Sequence, residues 1–317
     1  MTEEKSIIVK TKEGVVEAIQ GTGDVTNALL GLVSGALVTA LKETKLVGAE
    51  AASLVKDTIV GSVRGIAEVG QEVSSAAKGV IVGVMRGTKE VAETTLETVG
   101  KSVTTLIHTT SEVGGDIAQT AKGAMEGAIV GAKELGVSVT DAITQASTSI
   151  IKGGKQVGAE LATTAKETII GAAQAAKEVG EKGIETISHT AGAVVKATAD
   201  LGGDVGSTVR GSMVGALHGA KEVGETVLDA VTGTASSMIQ STAQVGGDLA
   251  VTAKNAVEGA IEGAKAIGVD TAEAASAAAT SALKAAGDIS ASAGKQVRDA
   301  VTGTIGGVKV VIKEPFK

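Results

Sequence analysis

The sequence predicts an all-α protein built from tandem helical repeats. Two observations carry this prediction: a strict internal period of 22 residues, and an apolar face that recurs at helical spacing within each period. The tetrapeptide Val-Gly-Gly-Asp at 113–116 has relatives at 157–160, 201–204 and 245–248, each 44 residues further on. Shorter relatives lie midway between them, so the basic unit has 22 residues.

The repeats continue without interruption along the chain. Fourteen units fit between residues 3 and 310 with no insertion or deletion, and each unit divides into two halves of 11 residues. Eleven residues make close to three turns of an α-helix. In one unit, Val113, Ile117 and Ile129 share one helix face while Asp116 and Lys122 lie opposite. Each unit therefore predicts an amphipathic helix.

Glycine indicates where these helices end or bend. The second position of the unit is glycine in ten of the twelve units from residue 47 onward, although a glycine inside a helix costs about 1 kcal/mol relative to alanine. Alternate units also carry pairs that resemble capping boxes, such as Ser138 with Asp141 and Thr226 with Asp229. These signals favour hinges or tight hairpins near every second glycine. The glycines assigned to a hinge or to close packing are Gly114, Gly158, Gly202 and Gly246.

A second arrangement stays open at this point. Glycine pairs spaced by four residues, such as Gly127 with Gly131 and Gly215 with Gly219, allow two helix backbones to approach closely. The pattern therefore fits packed helical hairpins, and it also fits long continuous helices that are hinged at glycine.

The two ends differ from the repeats in composition. Residues 6–10 and 308–313 are rich in β-branched side chains and predict short strands at both termini. In an extended rod these strands would lie far apart, so their pairing would join neighbouring molecules. We expect an N-terminal segment 1–24, a helical repeat region 25–310 and a C-terminal tail 311–317.

The composition argues against several classes of function. The chain has no cysteine for disulfides or thiolate metal sites, and its net charge of -7 with no Trp or Tyr argues against nucleic-acid binding. His108, His189 and His218 have no second metal ligand three or four residues away, and we expect them to be solvated surface residues. The run 100–102, Gly-Lys-Ser, lacks the first glycine of a phosphate-binding loop, which would stand at Thr95. No catalytic, cofactor-binding or metal-binding residue is predicted, and the protein is not expected to be an enzyme.

The first residues predict a cytoplasmic protein, peripheral to a membrane or granule if it is attached to one. The start of the chain is acidic, and no apolar run typical of a secretory signal follows it. The uncharged stretch 25–41 has 17 residues, which is the lower limit for a membrane span.

Residues 10–15, Lys-Thr-Lys-Glu-Gly-Val, resemble the core of the synuclein 11-residue repeat, with weaker echoes at 120–123, 164–167 and 252–255. The Gly-Ala-Lys-Glu segments at 131–134 and 219–222 are similar to the repeat region of perilipin-type lipid-droplet coats. This resemblance implies an amphipathic helix that lies on a lipid surface. The chain departs from those families in its net negative charge and in an apolar face with few aromatic residues.

The sequence predicts a non-enzymatic, self-associating protein that coats a hydrophobic surface, such as a membrane, a lipid droplet or a storage granule. The alternative is a self-assembling helical scaffold or filament that buries its apolar stripe against itself. A third hypothesis is a stress or desiccation protectant of the late-embryogenesis type. The expected partners are other copies of the chain and a lipid surface, without cofactors. The residues assigned to the apolar interaction stripe are Val113, Ile117, Ile129, Val157, Leu161, Leu201, Val245 and Leu249.

Overall fold

A computed structural model of the chain describes residues 2–22, 25–44, 49–71, 73–91 and 96–312. Within these ranges the protein consists of fourteen helices, one for each 22-residue unit, and one short hairpin, so the predicted all-α class is confirmed. The elements are α1 (Thr2–Thr22), α2 (Val25–Thr44), α3 (Ala49–Glu68), α4 (Val73–Val91), α5 (Leu96–Glu112), α6 (Ile117–Leu135), α7 (Val139–Gln156), α8 (Leu161–Val179), α9 (Gly183–Asp200), α10 (Val205–Val223), α11 (Val227–Gln244), α12 (Leu249–Ile267), α13 (Thr271–Ile289), α14 (Ala291–Val301), β1 (Gly303–Ile305) and β2 (Val308–Val310).

The chain forms two compact units, Met1–Ala159 and Glu160–Lys317. In the first unit, α1, α3, α5 and α7 pack side by side in one layer, and α2, α4 and α6 form a second layer. In the second unit, α9, α11 and α13 form one layer, while α8, α10, α12 and α14 form the other. Consecutive helices pair as hairpins, so each unit is a two-layer helical stack whose core lies between the layers.

Most of the described turns between helices share one local design, seen clearly between α6 and α7. Gly136 has a left-handed backbone with φ 69°, and the following N–H of Val137 donates to the carbonyl oxygen of Ala132 at 3.0 Å. Two residues after the glycine, the Ser138 hydroxyl accepts a hydrogen bond from the N–H of Asp141 and caps the next helix. This is a helix C-terminus of the Schellman type followed directly by an N-cap.

From Gly114 to Gly268, a turn occurs at every glycine that stands at the second position of the 22-residue unit. The expectation of a turn near only every second one of these glycines is wrong. Left-handed glycines end nine helices among the described residues. Helices α6, α10 and α12 begin instead at aspartates, and Asp116, Asp204 and Asp248 accept hydrogen bonds from the first helical turn. Helix α9 begins at Lys182 with no side-chain cap. The nine glycines are Gly70, Gly114, Gly136, Gly158, Gly180, Gly202, Gly224, Gly246 and Gly268.

The predicted strand at residues 6–10 is wrong, because these residues lie within α1. Thr11 and Val15, on the same helix, are buried where α3 approaches them at Gly61 and Gly65, so helix packing outweighs the β propensity of this segment. The C-terminal strand is present as β2, but it pairs antiparallel with β1 of the same chain. It packs on α13, so the last repeat unit ends as a hairpin and not as a full helix.

Candidate functional site

The apolar stripe predicted as an interaction surface is turned towards the inside of the two units. Ile129 is fully buried and Leu249 is 8% exposed. The other six residues are half-buried, and none is fully exposed. The half-buried residues are Val113, Ile117, Val157, Leu161, Leu201 and Val245.

The half-buried members of this stripe gather at the turns that lead from the odd-numbered to the even-numbered helices. Leu161 is an example of how these side chains are partly covered. One of its methyl carbons lies close to Gly203, in the turn between α9 and α10, and would be 3.1 Å from a Cβ placed on that glycine. Leu161 thus packs over the neighbouring hairpin turn. The predicted hinge glycines, Gly114, Gly158, Gly202 and Gly246, lie in these same turns with positive φ angles and are exposed.

Several glycines inside the even-numbered helices from α4 onward serve close packing. A Cβ on Gly127 would lie 2.9 Å from the carbonyl oxygen of Lys78 in α4, and one on Gly215 would lie 2.5 Å from that of Lys166 in α8. At these distances the backbones of neighbouring helices in the layer touch with no room for a side chain. The four-residue glycine spacing therefore joins helices of the same chain.

The outer helix faces carry polar links between neighbouring helices of a layer. Arg86 forms a two-bonded pair with Glu134, with both nitrogen–oxygen distances at 2.8 Å, and Gln174 donates to Glu222 at 2.7 Å. His108 and Gln156 are 2.8 Å apart. Each of these pairs spans 48 residues, which is one 44-residue hairpin plus about one helical turn. The links are exposed and each contributes about 1 kcal/mol or less.

Buried hydroxyls in the helices mostly bond to their own backbone. Thr120, Thr164 and Thr208 stand four residues after an N-cap residue and donate to its carbonyl oxygen at 2.7–2.9 Å. The segments 120–123 and 164–167, which resemble synuclein repeats, thus begin at the fourth residue of α6 and α8. Their threonine hydroxyls donate back to the helix backbone.

His218 departs from the expectation of a solvated histidine. It is half-buried on α10, and its Nε2 atom is buried with no hydrogen-bond partner among the described residues. Burial lowers the pKa of His218, and the nearby Lys166 lowers this pKa further. His108 pairs with Gln156, and His189 is half-buried on α9. The described residues contain no group of three His, Asp or Glu side chains placed to hold a metal ion.

A polar groove that sequence reasoning did not anticipate lies on the odd-numbered layer of the first unit. It encloses about 620 Å³ and is lined by residues of α3, α5 and α7. Its floor includes Val55, Ser102 and Ser149, which are at most 6% exposed. Three lysines from the three helices also line it: Lys56, Lys101 and Lys152.

The Gly-Lys-Ser run at 100–102 lines this groove, but not as a phosphate-binding loop. Gly100 lies within α5, where its missing side chain leaves space for Gln145 and Ser149 of α7. Lys101 forms an ion pair with Glu97 at 2.7 Å, and this contact lowers the pKa of the Glu97 carboxyl. Thr95, the position where a loop glycine would stand, lies outside the described residues.

Comparison with protein-family models and with curated proteins finds no match to this chain. The uncharged stretch 25–41 lies within α2, and no helix in the described ranges has the length and apolarity needed to cross a membrane.

Proposed function

We propose that this chain is a non-enzymatic structural protein, a helical repeat scaffold that buries its apolar stripe against its own helices. The observation that carries the proposal is the burial of the large apolar side chains between the helices of each unit. Ile81, Met85, Leu106, Ile129 and Ile150 are all fully buried between helices of the first unit. The second unit has a matching core that includes Ile169, Met213 and Leu217.

A coat for a lipid surface needs a continuous apolar face that is free to enter the interface. The described residues offer only isolated exposed apolar side chains, and these stand on different elements. They are Val9, Leu96, Val251, Ile289 and Val311, between 37% and 55% exposed. Single exposed residues of this kind are ordinary on a folded protein. This distribution supports the scaffold over the coat.

The use of glycine also supports a packed scaffold. A helix on a lipid surface gains about 1 kcal/mol when an interior glycine is replaced by alanine, so glycine there brings no benefit. In a packed layer, the same glycines permit the backbone contacts seen at Gly127 and Gly215. The self-association expected from the sequence stays a prediction for this scaffold.

The absence of enzymatic activity is part of the proposal and rests on how the polar groups are used. The carboxylates of Glu134, Glu222 and Glu262 join exposed links between helices. Acid–base catalysis instead needs desolvated groups whose pKa values are shifted within a pocket.

Far-UV circular dichroism with a flotation assay tests the scaffold against the coat. The purified full chain is measured in buffer, and then with vesicles of phosphatidylcholine alone or mixed with phosphatidylglycerol. The scaffold predicts strong helical signal in buffer, a cooperative thermal transition, and no flotation with either vesicle. Helix that appears only with vesicles, together with flotation, would overturn the scaffold in favour of the coat.

A further inference from the structure

The groove lined by α3, α5 and α7 has the charge of a site for anions. Lys56, Lys101 and Lys152 approach it from three different helices, and Glu97 is the one acidic residue in its lining. Glu97 is paired with Lys101, whereas Lys56 and Lys152 have no ion-pair partner among the described residues. The net charge of the lining is therefore positive, in a chain whose overall charge is -7.

The hydroxyls of the groove select for a ligand that can also donate hydrogen bonds. Ser102 donates its hydrogen to the carbonyl oxygen of Thr98 at 2.7 Å, and Thr148 donates to that of Thr144 at 2.9 Å. With its hydrogen used in this way, the oxygen of the exposed Thr148 serves a ligand as an acceptor, while Ser102, 1% exposed, lies in the floor of the groove. Gln145 adds a side-chain amide that can donate and accept. Hydroxyl groups of a ligand would match these acceptors.

The size and the lining of the groove favour a small ligand without an aromatic base. A volume of about 620 Å³ falls in the range of small-molecule sites. No aromatic side chain lines the groove, so a nucleobase would have no ring on which to stack. We propose that this groove binds a small phosphorylated polyol, with the lysines on its phosphate groups and the hydroxyls on its ring.

The same chemistry occurs in a free sugar or inositol phosphate and in the headgroup of a phosphoinositide lipid. In both cases Glu97 competes with the ligand, because it already holds Lys101 in an ion pair. Removing the Glu97 charge therefore frees a third lysine and reduces repulsion. This gives the site a test in which one substitution strengthens binding while others weaken it.

Isothermal titration calorimetry of the full chain with inositol trisphosphate, and with unphosphorylated inositol, tests the proposal. We expect binding of the trisphosphate only, about three- to tenfold weaker affinity in Lys56→Gln and in Lys152→Gln, and tighter binding in Glu97→Gln. Lys196→Gln is the matched control, because Lys196 is an exposed lysine of α9 at the same repeat position as Lys152. Its affinity should equal that of the wild type.

Flotation with vesicles that contain phosphatidylinositol bisphosphate separates the two sources of the ligand. Flotation that Lys152→Gln abolishes would assign the lipid headgroup, while binding of the soluble trisphosphate alone would assign a free metabolite. Absence of both would overturn the proposal, and so would equal losses in Lys152→Gln and Lys196→Gln. The vesicles that test the scaffold contain no phosphoinositide, so the two proposals can fail separately.

Discussion

At the scale of single residues, we expect His218 to make the free energy of unfolding depend on pH. Burial is the main reason that its pKa lies below the ordinary value of 6.5, and Lys166 and Lys221 act in the same direction. Glu222 and Glu167 oppose them by attracting the charged form. The folded chain therefore binds a proton at this site less readily than the unfolded chain does.

The linkage between protonation and folding determines whether the free energy of unfolding rises or falls with pH. Below about pH 6.5 the unfolded chain takes up more protons at His218, so the free energy of unfolding falls as the pH decreases. We expect wild-type stability, measured by urea unfolding between about pH 7.5 and pH 5, to decline more steeply than that of His218→Gln. His189→Gln is the control variant, because it removes another half-buried histidine and leaves His218 in place. A slope unchanged by His218→Gln would contradict this account.

Single residues also show what the sequence made predictable. The capping pattern predicts helix starts at Ser138 and Thr226, and both stand at N-cap positions, but only the Ser138 side chain accepts a hydrogen bond there. Thr94, with Glu97 three residues later, carries the same pattern and lies outside the described residues. Asp116 was not predicted as a helix start, although Gln119 follows it at the capping-box spacing and the Asp116 carboxylate accepts a hydrogen bond from the N–H of Gln119. An N-cap needs only a side-chain acceptor, so aspartate starts a helix as serine or threonine does.

At the scale of helices, glycine has opposite consequences at equivalent positions of the repeat. In α10, a Cβ on Gly211 would overlap the carbonyl oxygen of Ala162 in α8. Gly35 lies at the same repeat position of α2, four 44-residue spacings earlier, and a Cβ there would meet nothing within 4 Å. The pair forms a matched test of packing against helix propensity.

Gly211→Ala is expected to destabilise the chain by about 1–3 kcal/mol, because the backbone of α8 must move away. Gly35→Ala is expected to stabilise it by up to about 1 kcal/mol through helix propensity. Thermal and urea unfolding followed by circular dichroism measure both effects. If α10 were a separate helix on a lipid surface, both substitutions would instead increase helix content, and this outcome would refute the packed layer.

The helices themselves were largely predictable from the sequence, but the helices that pack against each of them were not. An unbroken 22-residue period with an apolar face specifies one amphipathic helix per unit, as found for α6 to α13. The same face would look identical in sequence if lipid covered it. The period does not indicate whether lipid or other helices bury the apolar face. That depends on how neighbouring helices pack, as α10 does against α8.

The groove could not be predicted because its residues do not share a position in the repeat. Lys56, Lys101 and Lys152 are separated by 45 and 51 residues, whereas equivalent positions recur every 22 or 44. Only the side-by-side packing of α3, α5 and α7 brings the three lysines to one lining. Features that depart from the period thus carry the information that is specific to this chain.

At the scale of the whole molecule, we propose that each unit folds by burying its apolar stripe between its own helices, without any external surface. The core contains no Trp, Tyr or Cys and depends on Ala, Val, Ile, Leu and Met. In α13 it is made almost wholly of alanine, including Ala274, Ala278 and Ala282. Close approach of helices, made possible by small residues, replaces the bulk that aromatic side chains normally supply.

Hydrogen–deuterium exchange of the full chain in lipid-free buffer, read by mass spectrometry, tests this claim most directly. We predict slow exchange in the buried segments of α6, α8 and α10, and faster exchange at turns such as the one at Gly158. Exchange at the rate of an unfolded chain throughout these helices, with protection only after vesicles are added, would contradict the account.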